Sequence, residues 1–303
     1  MKFEVLILGT NAALPLNNKI TSAQVLNADE YLYLLDCGEG TQMKLEKYKV
    51  RKNKIKAIFI SHLHGDHLFG LPGLLTSFGH YHRKDPLHIF GPEGITQYIR
   101  VILDTCQAFL GYEIRIVETD ACTTQIIYSD QKIQVSTIPL KHRIPTNGYL
   151  IRQAERPFNL DGEKIRKYKL SIEQIKQVKA GKDIYLNDGT MMIWQDLTLS
   201  PVKQKAYAYC TDTVYDESIV PLIKGVDLLY HETTYLDDMN AEAQQRMHST
   251  ISDAAKIAEL AGAGKLLTGH YSGRYLNTNV FLEAGKKLFE PTFLSYEGLV
   301  IQI

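Results

Sequence analysis

A layered α/β or α+β architecture is what this sequence predicts, on three observations. Short apolar runs alternate with turns, amphipathic helical patterns fall between some of them, and histidine or aspartate repeatedly follows the end of a run. In the first half, residues 2–8, 23–26, 31–35 and 55–60 read as strands because they are short, apolar and bounded by turn residues. Residues 67–78 carry Leu68, Leu71, Leu74 and Leu75 at helical spacing, and residues 94–110 carry Ile95, Tyr98, Ile99, Ile102 and Leu103. Both stretches are expected to cover a sheet face. Further strands are expected at 87–90, 114–117, 124–128, 133–138, 148–151, 206–210 and 226–230. Near the C-terminus, a helix is expected at 252–261 with Ser252 or Thr250 as its cap, then a short run at 265–268, then an amphipathic helix at 279–289. His62, His142, Asp212, His231 and His270 each come just after a run, so the strand ends are expected to converge on one rim. No sequence-identical repeat is present, but the recurrence of strand followed by acid or histidine is compatible with two similar halves.

The densest of these positions is His62-Leu63-His64-Gly65-Asp66-His67, three imidazoles and a carboxylate directly after the run that ends at Ile60. Neutral imidazole and carboxylate are ligands for zinc and related divalent ions. Alternation lets His62 and His64 face one ion while Asp66 and His67 turn toward another. The competing account is a polar surface loop. The scarcity of histidine and the glycine inside the cluster, read as a tight bend, favour metal.

Length and composition bound the class without naming a reaction. At 303 residues the chain is long enough for one large domain or two smaller ones. A hydrophobic share of 45% and a charged share of 22% are ordinary for a globular protein, while 34 basic against 34 acidic residues exclude a whole-surface attraction for nucleic acid. A polyanion therefore needs a local basic patch. Cys37, Cys106, Cys122 and Cys210 are widely spaced, which fits reduced thiols better than a disulfide frame or a thiolate zinc site. No charged leader with a long apolar segment opens the chain and no run is long enough to span a bilayer, so a cytoplasmic protein without membrane association is expected.

Residues 152–190 break the rhythm. Arg152, Arg156, Lys164, Arg166, Lys167, Lys169, Lys176, Lys179 and Lys182 outnumber Glu155, Asp161, Glu163 and Glu173. Leu170, Ile172, Ile175 and Val178 are expected to form one small helix face, ended by Gly181-Lys182-Asp183. Two readings stay open: a solvated, charged insertion, or a lever whose lysines grip phosphate backbones in a salt-dependent way.

Several separated motifs then carry a resemblance: Leu8-Gly9-Thr10, Asp36-Cys37-Gly38-Glu39-Gly40-Thr41, the His62–His67 cluster, Thr211-Asp212-Thr213, His231-Glu232-Thr233-Thr234, His248-Ser249-Thr250, and Gly269-His270-Tyr271-Ser272-Gly273-Arg274-Tyr275. Across nearly its whole length the chain resembles the metallo-β-lactamase superfamily and, within it, the short-form ribonuclease Z family. The histidine cluster marks only the superfamily; the His-Glu-Thr-Thr and His-Ser-Thr segments narrow it. The resemblance implies a four-layer αββα sandwich, with residues 1–303 as a single domain and 152–195 as an inserted substrate-binding arm.

It further implies two zinc ions per subunit, other divalent metals being acceptable to the same ligands, and no organic cofactor. One ion falls to His62, His64 and His142, the other to Asp66, His67 and His270, with Asp212 bridging both. Asp66 also orients or deprotonates the attacking water, and His248, held by Glu232, protonates the departing ribose oxygen. The implied activity is removal of the 3′ trailer from precursor tRNA, leaving a 3′-hydroxyl on the tRNA and a 5′-phosphate on the trailer. The implied assembly is a homodimer in which one subunit's arm grips tRNA cut in the other. Lys164, Arg166, Lys167, Lys169, Lys176 and Lys179 are the arm's candidate contacts, and Arg274 a candidate phosphate contact.

Each assignment has a plainer rival. His142 reads equally as a solvated loop histidine, Asp212 as a turn cap, and His248 as a residue orienting the helix start at Ser249-Thr250. Arg274 reads as a brace for the His270 loop. His231 reads as structural, His80, His82 and His88 as surface or packing residues, and Asp36 with Gly38 and Gly40 as a tight loop behind the metals. Two departures from the family pattern stand out. The loop after the first strand reads Pro15-Leu16-Asn17-Asn18-Lys19-Ile20-Thr21, keeping only a proline and a lysine of the usual motif, and Leu170-Ser171-Ile172-Glu173 replaces a Gly-Pro pair near the arm's tip. Two further hypotheses remain beside tRNA processing: a dinuclear hydrolase of small or cyclic-nucleotide phosphodiesters, and a nucleic-acid-binding protein whose metal site only stabilises the fold.

Overall fold

The computed structural model describes residues 2–154, 158–199 and 203–303; Glu155 and Arg156 of the basic segment lie outside the described residues. In chain order the elements are β1 (Phe3–Gly9), β2 (Ala23–Ala28), β3 (Tyr31–Leu35), α1 (Thr41–Lys47), β4 (Ile55–Phe59), α2 (Gly65–Leu68), α3 (Leu71–His80), β5 (Leu87–Pro92), α4 (Ile95–Thr105) and β6 (Ile114–Thr119). There follow β7 (Ile126–Ser129), β8 (Ile133–Leu140), β9 (Thr146–Gln153), α5 (Gly162–Tyr168), α6 (Ile172–Lys179), β10 (Ile184–Tyr185), β11 (Met191–Met192) and β12 (Ala206–Cys210). The chain closes with β13 (Leu228–Glu232), α7 (Asn240–Arg246), α8 (Ile251–Ala261), β14 (Leu266–Gly269), α9 (Asn279–Leu288), β15 (Thr292–Leu294) and β16 (Val300–Gln302).

Two compact units result, Met1–Gln153 with Lys205–Ile303, and Ala154–Gln204. The larger holds two sheets with the same pairing pattern. In the first, β16, β1, β2 and β3 run antiparallel, and β3, β4, β5 and β6 continue parallel. In the second, β7, β8, β9 and β12 run antiparallel, and β12, β13, β14 and β15 continue parallel. The two halves suggested by the strand-and-histidine recurrence thus share a strand-pairing scheme, with β16 crossing back to complete the first sheet.

The inner faces meet in an apolar layer that includes Val5, Leu26, Tyr33 and Phe59 from one sheet and Tyr149, Ile151, Tyr207, Tyr209 and Tyr230 from the other. Their outer faces are covered by helices. Leu45 of α1, Leu71, Leu74 and Phe78 of α3 and Ile95 and Ile99 of α4 pack on the first sheet, while Ala254, Ala255, Ile257 and Ala258 of α8 pack on the second. The order is helix, sheet, sheet, helix, the four-layer αββα sandwich expected from the motifs. Because strands such as Ala206–Cys210 are covered on both faces, they are buried throughout rather than alternating.

Differences from the expected elements have local causes. The single helix expected at 67–78 is broken into α2 and α3, with Pro72 in the first turn of α3. At the break Gly70 lies so close to the Asp36 loop that a Cβ there would stand 2.1 Å from the Gly38 carbonyl oxygen. The strand expected at 226–230 is displaced to Leu228–Glu232, because a turn at Gly225, with φ of 68°, precedes it. That shift carries His231 and Glu232 into the strand itself. The helix expected at 94–110 ends at Thr105, before Gln107 enters the left-handed region.

The smaller unit has a core of its own, with Leu170, Val178, Ile184 and Leu197 buried and Ile165, Tyr168, Ile175 and Trp194 packed against them. It begins at Ala154 because Arg152 and Gln153 still pair with Gln134 and Ile133 in β9 and β8. Instead of one helix face it forms two short helices and a hairpin. The Asp161 side chain caps α5, Lys169 turns left-handed after it with φ of 49°, and Ser171 and Gln174 form a reciprocal capping box that starts α6. Leu170 is therefore buried ahead of the helix, and Ile172, expected on the apolar face, is 67% exposed.

Candidate metal centre

The rim where the strands end gathers the predicted residues. Asp36 follows β3, Ser61 to His67 follow β4, His142 lies between β8 and β9, Thr211 to Thr213 follow β12, Glu232 ends β13 and His270 follows β14. After β4 the chain stays extended through His64 and then turns directly into α2. Gly65 is the first residue of that helix rather than a positive-φ bend. A Cβ there would first meet the Phe69 ring, an exposed side chain that can move aside.

Two sets of donors converge there, His62, His64, His142 and Asp212, and Asp66, His67, Asp212 and His270, the ligand atoms of each set lying within 4.8 Å of one another. In the first set, His64 Nδ1 is 3.0 Å from His62 Nε2 and 3.2 Å from His142 Nε2; Asp212 Oδ2 is 3.6 Å from His62 Nε2 and 3.8 Å from His142 Nε2. In the second, His67 Nε2 is 3.2 Å from His270 Nε2, 3.6 Å from Asp66 Oδ2 and 3.3 Å from Asp212 Oδ1, and His270 Nε2 is 3.3 Å from each of the same two oxygens. Four donors bound at about 2.0–2.2 Å to one tetrahedral cation stand about 3.3–3.6 Å apart. The separations here, from 3.0 to 3.8 Å, bracket that figure, and Asp212 offers a different oxygen to each set.

The outward nitrogens of His62, His67, His142 and His270 are held as metal-binding imidazoles require. His62 Nδ1 meets Ser61 Oγ at 3.0 Å, His67 Nδ1 meets Asp36 Oδ2 at 2.7 Å, His142 Nδ1 faces the Met247 carbonyl at 2.9 Å, and His270 Nδ1 faces Thr234 Oγ1 at 2.9 Å. Asp36 is itself fixed by Ser61 N–H at 2.7 Å, Ser61 Oγ at 2.9 Å and the Tyr209 hydroxyl at 2.7 Å. Ser61, Thr234 and Tyr209 escaped the sequence reading. Thr234 stands within a recognised motif without a role having been read for it and Ser61 adjoins one, which is a usable signal; Tyr209 is one apolar-strand tyrosine among several and gives none.

The electrostatics ask for positive charge. Asp36, Asp212 and Glu232 are buried and Asp66 half-buried, and histidines are their ion-pair partners. Burial holds His62, His64 and His142 below the usual imidazole range, keeping their nitrogens free as lone-pair donors. Burial also opposes charge on His67, but the carboxylates of Asp212, Asp66 and Asp36 outweigh it and raise its affinity for a proton, the place a cation would take. Burial opposes ionisation of Asp212 as well, yet His270, His67 and His62 hold it well below the usual carboxylate range. The donor set and its charge balance therefore fit divalent cations.

His248 and Glu232 stand beside both sets. The His248 ring lies 5.2 Å from that of His142 and 5.5 Å from that of His270, centroid to centroid. Its Nδ1 meets Glu232 Oε1 at 2.8 Å, leaving Nε2 for another partner. Glu232 is fixed in turn by the Thr213 and Thr234 backbone N–H groups, each at 3.0 Å. Burial disfavours the charged ring, but the Glu232 carboxylate outweighs it and pushes the His248 pKa up to about 9.

Other expected positions fall elsewhere. His231 is buried in β13 with Nδ1 on its neighbour's carbonyl at 2.9 Å, and belongs to neither donor set. His80 and His82 are exposed and His88 is half-buried. Arg274 is exposed, its guanidinium 5.4 Å above the Tyr235 ring. Within the smaller unit Arg166, Lys167, Lys169, Lys176 and Lys179 are exposed, whereas Lys164 donates to the Asp196 carbonyl at 2.6 Å and braces the unit's own fold.

An αββα sandwich with histidine and aspartate sets at its strand ends defines a metallo-β-lactamase-fold protein built to hold metal. The chain belongs to the ribonuclease Z family. It is 40% identical to ribonuclease Z of Porphyromonas gingivalis over 99% of both chains, and 37% identical to that of Bacteroides fragilis over 100% of this chain and 99% of the relative. Among solved structures, human tRNase Z, short form, matches with a TM-score of 0.71 and 27% identity over 99% of each chain. A metallo-β-lactamase fold protein from Bacillus subtilis matches with a TM-score of 0.69 at 20% identity over 100% of both chains, a likeness of fold. The family model described as Anti-Pycsar protein Apyc1 matches residues 3–148, less than half of the chain.

Proposed function

We propose that this chain is a zinc-dependent endoribonuclease that hydrolyses the 3′ trailer from precursor tRNA, releasing tRNA with a 3′-hydroxyl and a trailer with a 5′-phosphate. The observation that carries the reading is the paired donor sets sharing Asp212, with His248 beside both. His62, His64, His142 and Asp212 would hold one zinc ion and Asp66, His67, Asp212 and His270 the other. Bound there, the cations supply neutralisation of the attacked phosphate and acidification of water.

The remaining steps belong to the protein's own groups. Asp66 lies half-buried, and burial opposes its charge, but His67 and His270 hold it well below the usual carboxylate range, so it stays ionised and can orient the attacking water, whose proton it would pass on to solvent rather than retain. As the new P–O bond forms on one side of the phosphorus, the bond to the tRNA O3′ breaks on the other. His248, kept protonated by Glu232 and free at Nε2, gives its proton to that leaving oxygen. Water is thus divided between the trailer phosphate and the tRNA hydroxyl.

The exposed cations of α5 and α6 would grip the tRNA backbone. The chain would work as a homodimer, each arm serving the partner's centre. A cytoplasmic location agrees with four free cysteines. Among the described residues no helix is long and apolar enough to cross a membrane.

Incubating zinc-loaded protein with a trailer-bearing precursor tRNA and mapping both product ends tests the reading. A single cut with the stated ends is expected. Hydrolysis of a chromogenic phosphodiester with the precursor left intact would replace tRNA by a small phosphodiester as the substrate.

A further inference from the structure

The loop between β1 and β2 reaches the metal centre through one backbone group: the Ala13 N–H donates to Asp66 Oδ2 at 2.8 Å. That oxygen is the one Asp66 turns toward His67 and His270. Ala13 itself adopts a left-handed conformation, with φ of 62°, uncommon for alanine and closed locally by Leu14 N–H on the Ala12 carbonyl at 2.7 Å.

Support enters from far along the chain. Glu297 Oε1 accepts the Ile20 N–H at 2.6 Å, and its other oxygen pairs with the Lys44 ammonium of α1. Lys44 Nζ also donates to the Asn18 carbonyl at 3.1 Å. Both charged side chains are only 10% exposed. At these anchors the loop makes a tight turn with Asn17 and Asn18 at positive φ, closed by Lys19 N–H on the Leu16 carbonyl at 3.0 Å. Toward its start, Ala12 N–H donates to the Tyr271 carbonyl at 3.0 Å, next to His270. The loop is fixed at both ends, and Ala13 sits between the anchors.

We propose that the buried Lys44–Glu297 pair is a latch that aims Asp66 at the second cation position, through the loop and the Ala13 N–H. Lys44 and Glu297 touch neither donor set, so they are positioning residues. This rests on the two-cation reading above. Its loss loosens the returning limb of the loop at Asn18 and Ile20, while the Tyr271 carbonyl still holds the start of the loop and the sandwich is untouched. The first donor set, which Asp66 does not join, is left as it was.

The test is titration of zinc into metal-free protein against a chromogenic chelator, for wild type, K44R, E297Q and K44M/E297Q. The double variant removes both charges together and strands neither. Loss of one support behind a metal ligand weakens affinity about 10–100-fold. We expect K44M/E297Q to lose that much affinity for one zinc equivalent and to bind the other as wild type does. K44R should match wild type, and E297Q should fall between. Two wild-type-like equivalents in a K44M/E297Q protein that still unfolds cooperatively would overturn the latch, as would equal weakening of both. Should the double variant not fold, E297Q decides by the same criterion. A wild-type protein that takes up fewer than two equivalents overturns the two-cation reading, and the latch with it.

Discussion

The rim of the sandwich and the arm hold charge in opposite ways. At the rim, ionisable groups are buried or half-buried, come from separate strand ends, and are each pinned by a second group, as Asp36 pins His67 and Glu232 pins His248. On the arm, cations such as Lys167 and Lys176 stand on short helices with their ends in solvent, over a core of a few apolar residues. Buried, cross-braced charges fix atoms to fractions of an ångström and serve chemistry. Exposed, adaptable charges serve the long-range, salt-sensitive attraction of a polyanion.

The comparison is broken most severely at Asp66. Asp66→Ala should lower precursor cleavage by about 1000-fold or more, equivalent to about 4 kcal/mol of barrier, while tRNA affinity measured by filter binding stays near wild type. Unchanged turnover would remove Asp66 from the chemistry. Deleting residues 155–190 should do the reverse, cutting kcat/KM on precursor tRNA by about 100-fold while a chromogenic phosphodiester is still hydrolysed, because remote binding energy is then lost. Equal loss on both substrates would mean the arm only supports the fold.

His248→Ala should cost about 100- to 10,000-fold on RNA and far less on a nitrophenyl ester, whose leaving group needs no proton. The pH profile sharpens this. His248 has its pKa raised to about 9, so its protonated form, and the stability that form lends, persist below the ordinary imidazole value and are lost as pH rises through about 9. Glu232→Gln removes the carboxylate that raises it, and the alkaline limb of the pH–rate curve should move to lower pH. An unmoved limb would assign that limb to another group.

Much of this was legible in the sequence, and unevenly. Strands such as Tyr31–Leu35 and Ala206–Cys210 fall where their apolar runs place them. Ligand candidates were visible because each follows such a run and because the cluster from His62 to His67 is dense. The arm was legible as charge and only in part as structure. Helix α6 falls where Ile175 and Val178 placed an apolar face ended at Gly181, whereas α5, about two turns long, and the hairpin left no pattern to read, and the helix limits are set by the Asp161 and Ser171 caps and by Lys169 turning left-handed. Helices α1 and α7 were missed for the same reason of length. Strands β15 and β16 were missed because three-residue strands carry no alternation to read. The grip of Glu297 on Ile20 spans most of the chain, and nothing local announces it.

The smallest expected effect belongs to single arm cations. Lys176→Gln should weaken tRNA binding several-fold and reduce the slope of log affinity against log salt by about 0.7–0.9, the share of one phosphate contact. A slope identical to wild type would take Lys176 off the RNA.

The central claim is that two cations are gathered by side chains from distant segments and share Asp212. Anomalous scattering from crystals of the zinc-loaded protein measures this directly. The account predicts two peaks, each about 2.0–2.2 Å from its ligand atoms, with one Asp212 oxygen on each. A single peak, or peaks that Asp212 does not touch, would contradict it.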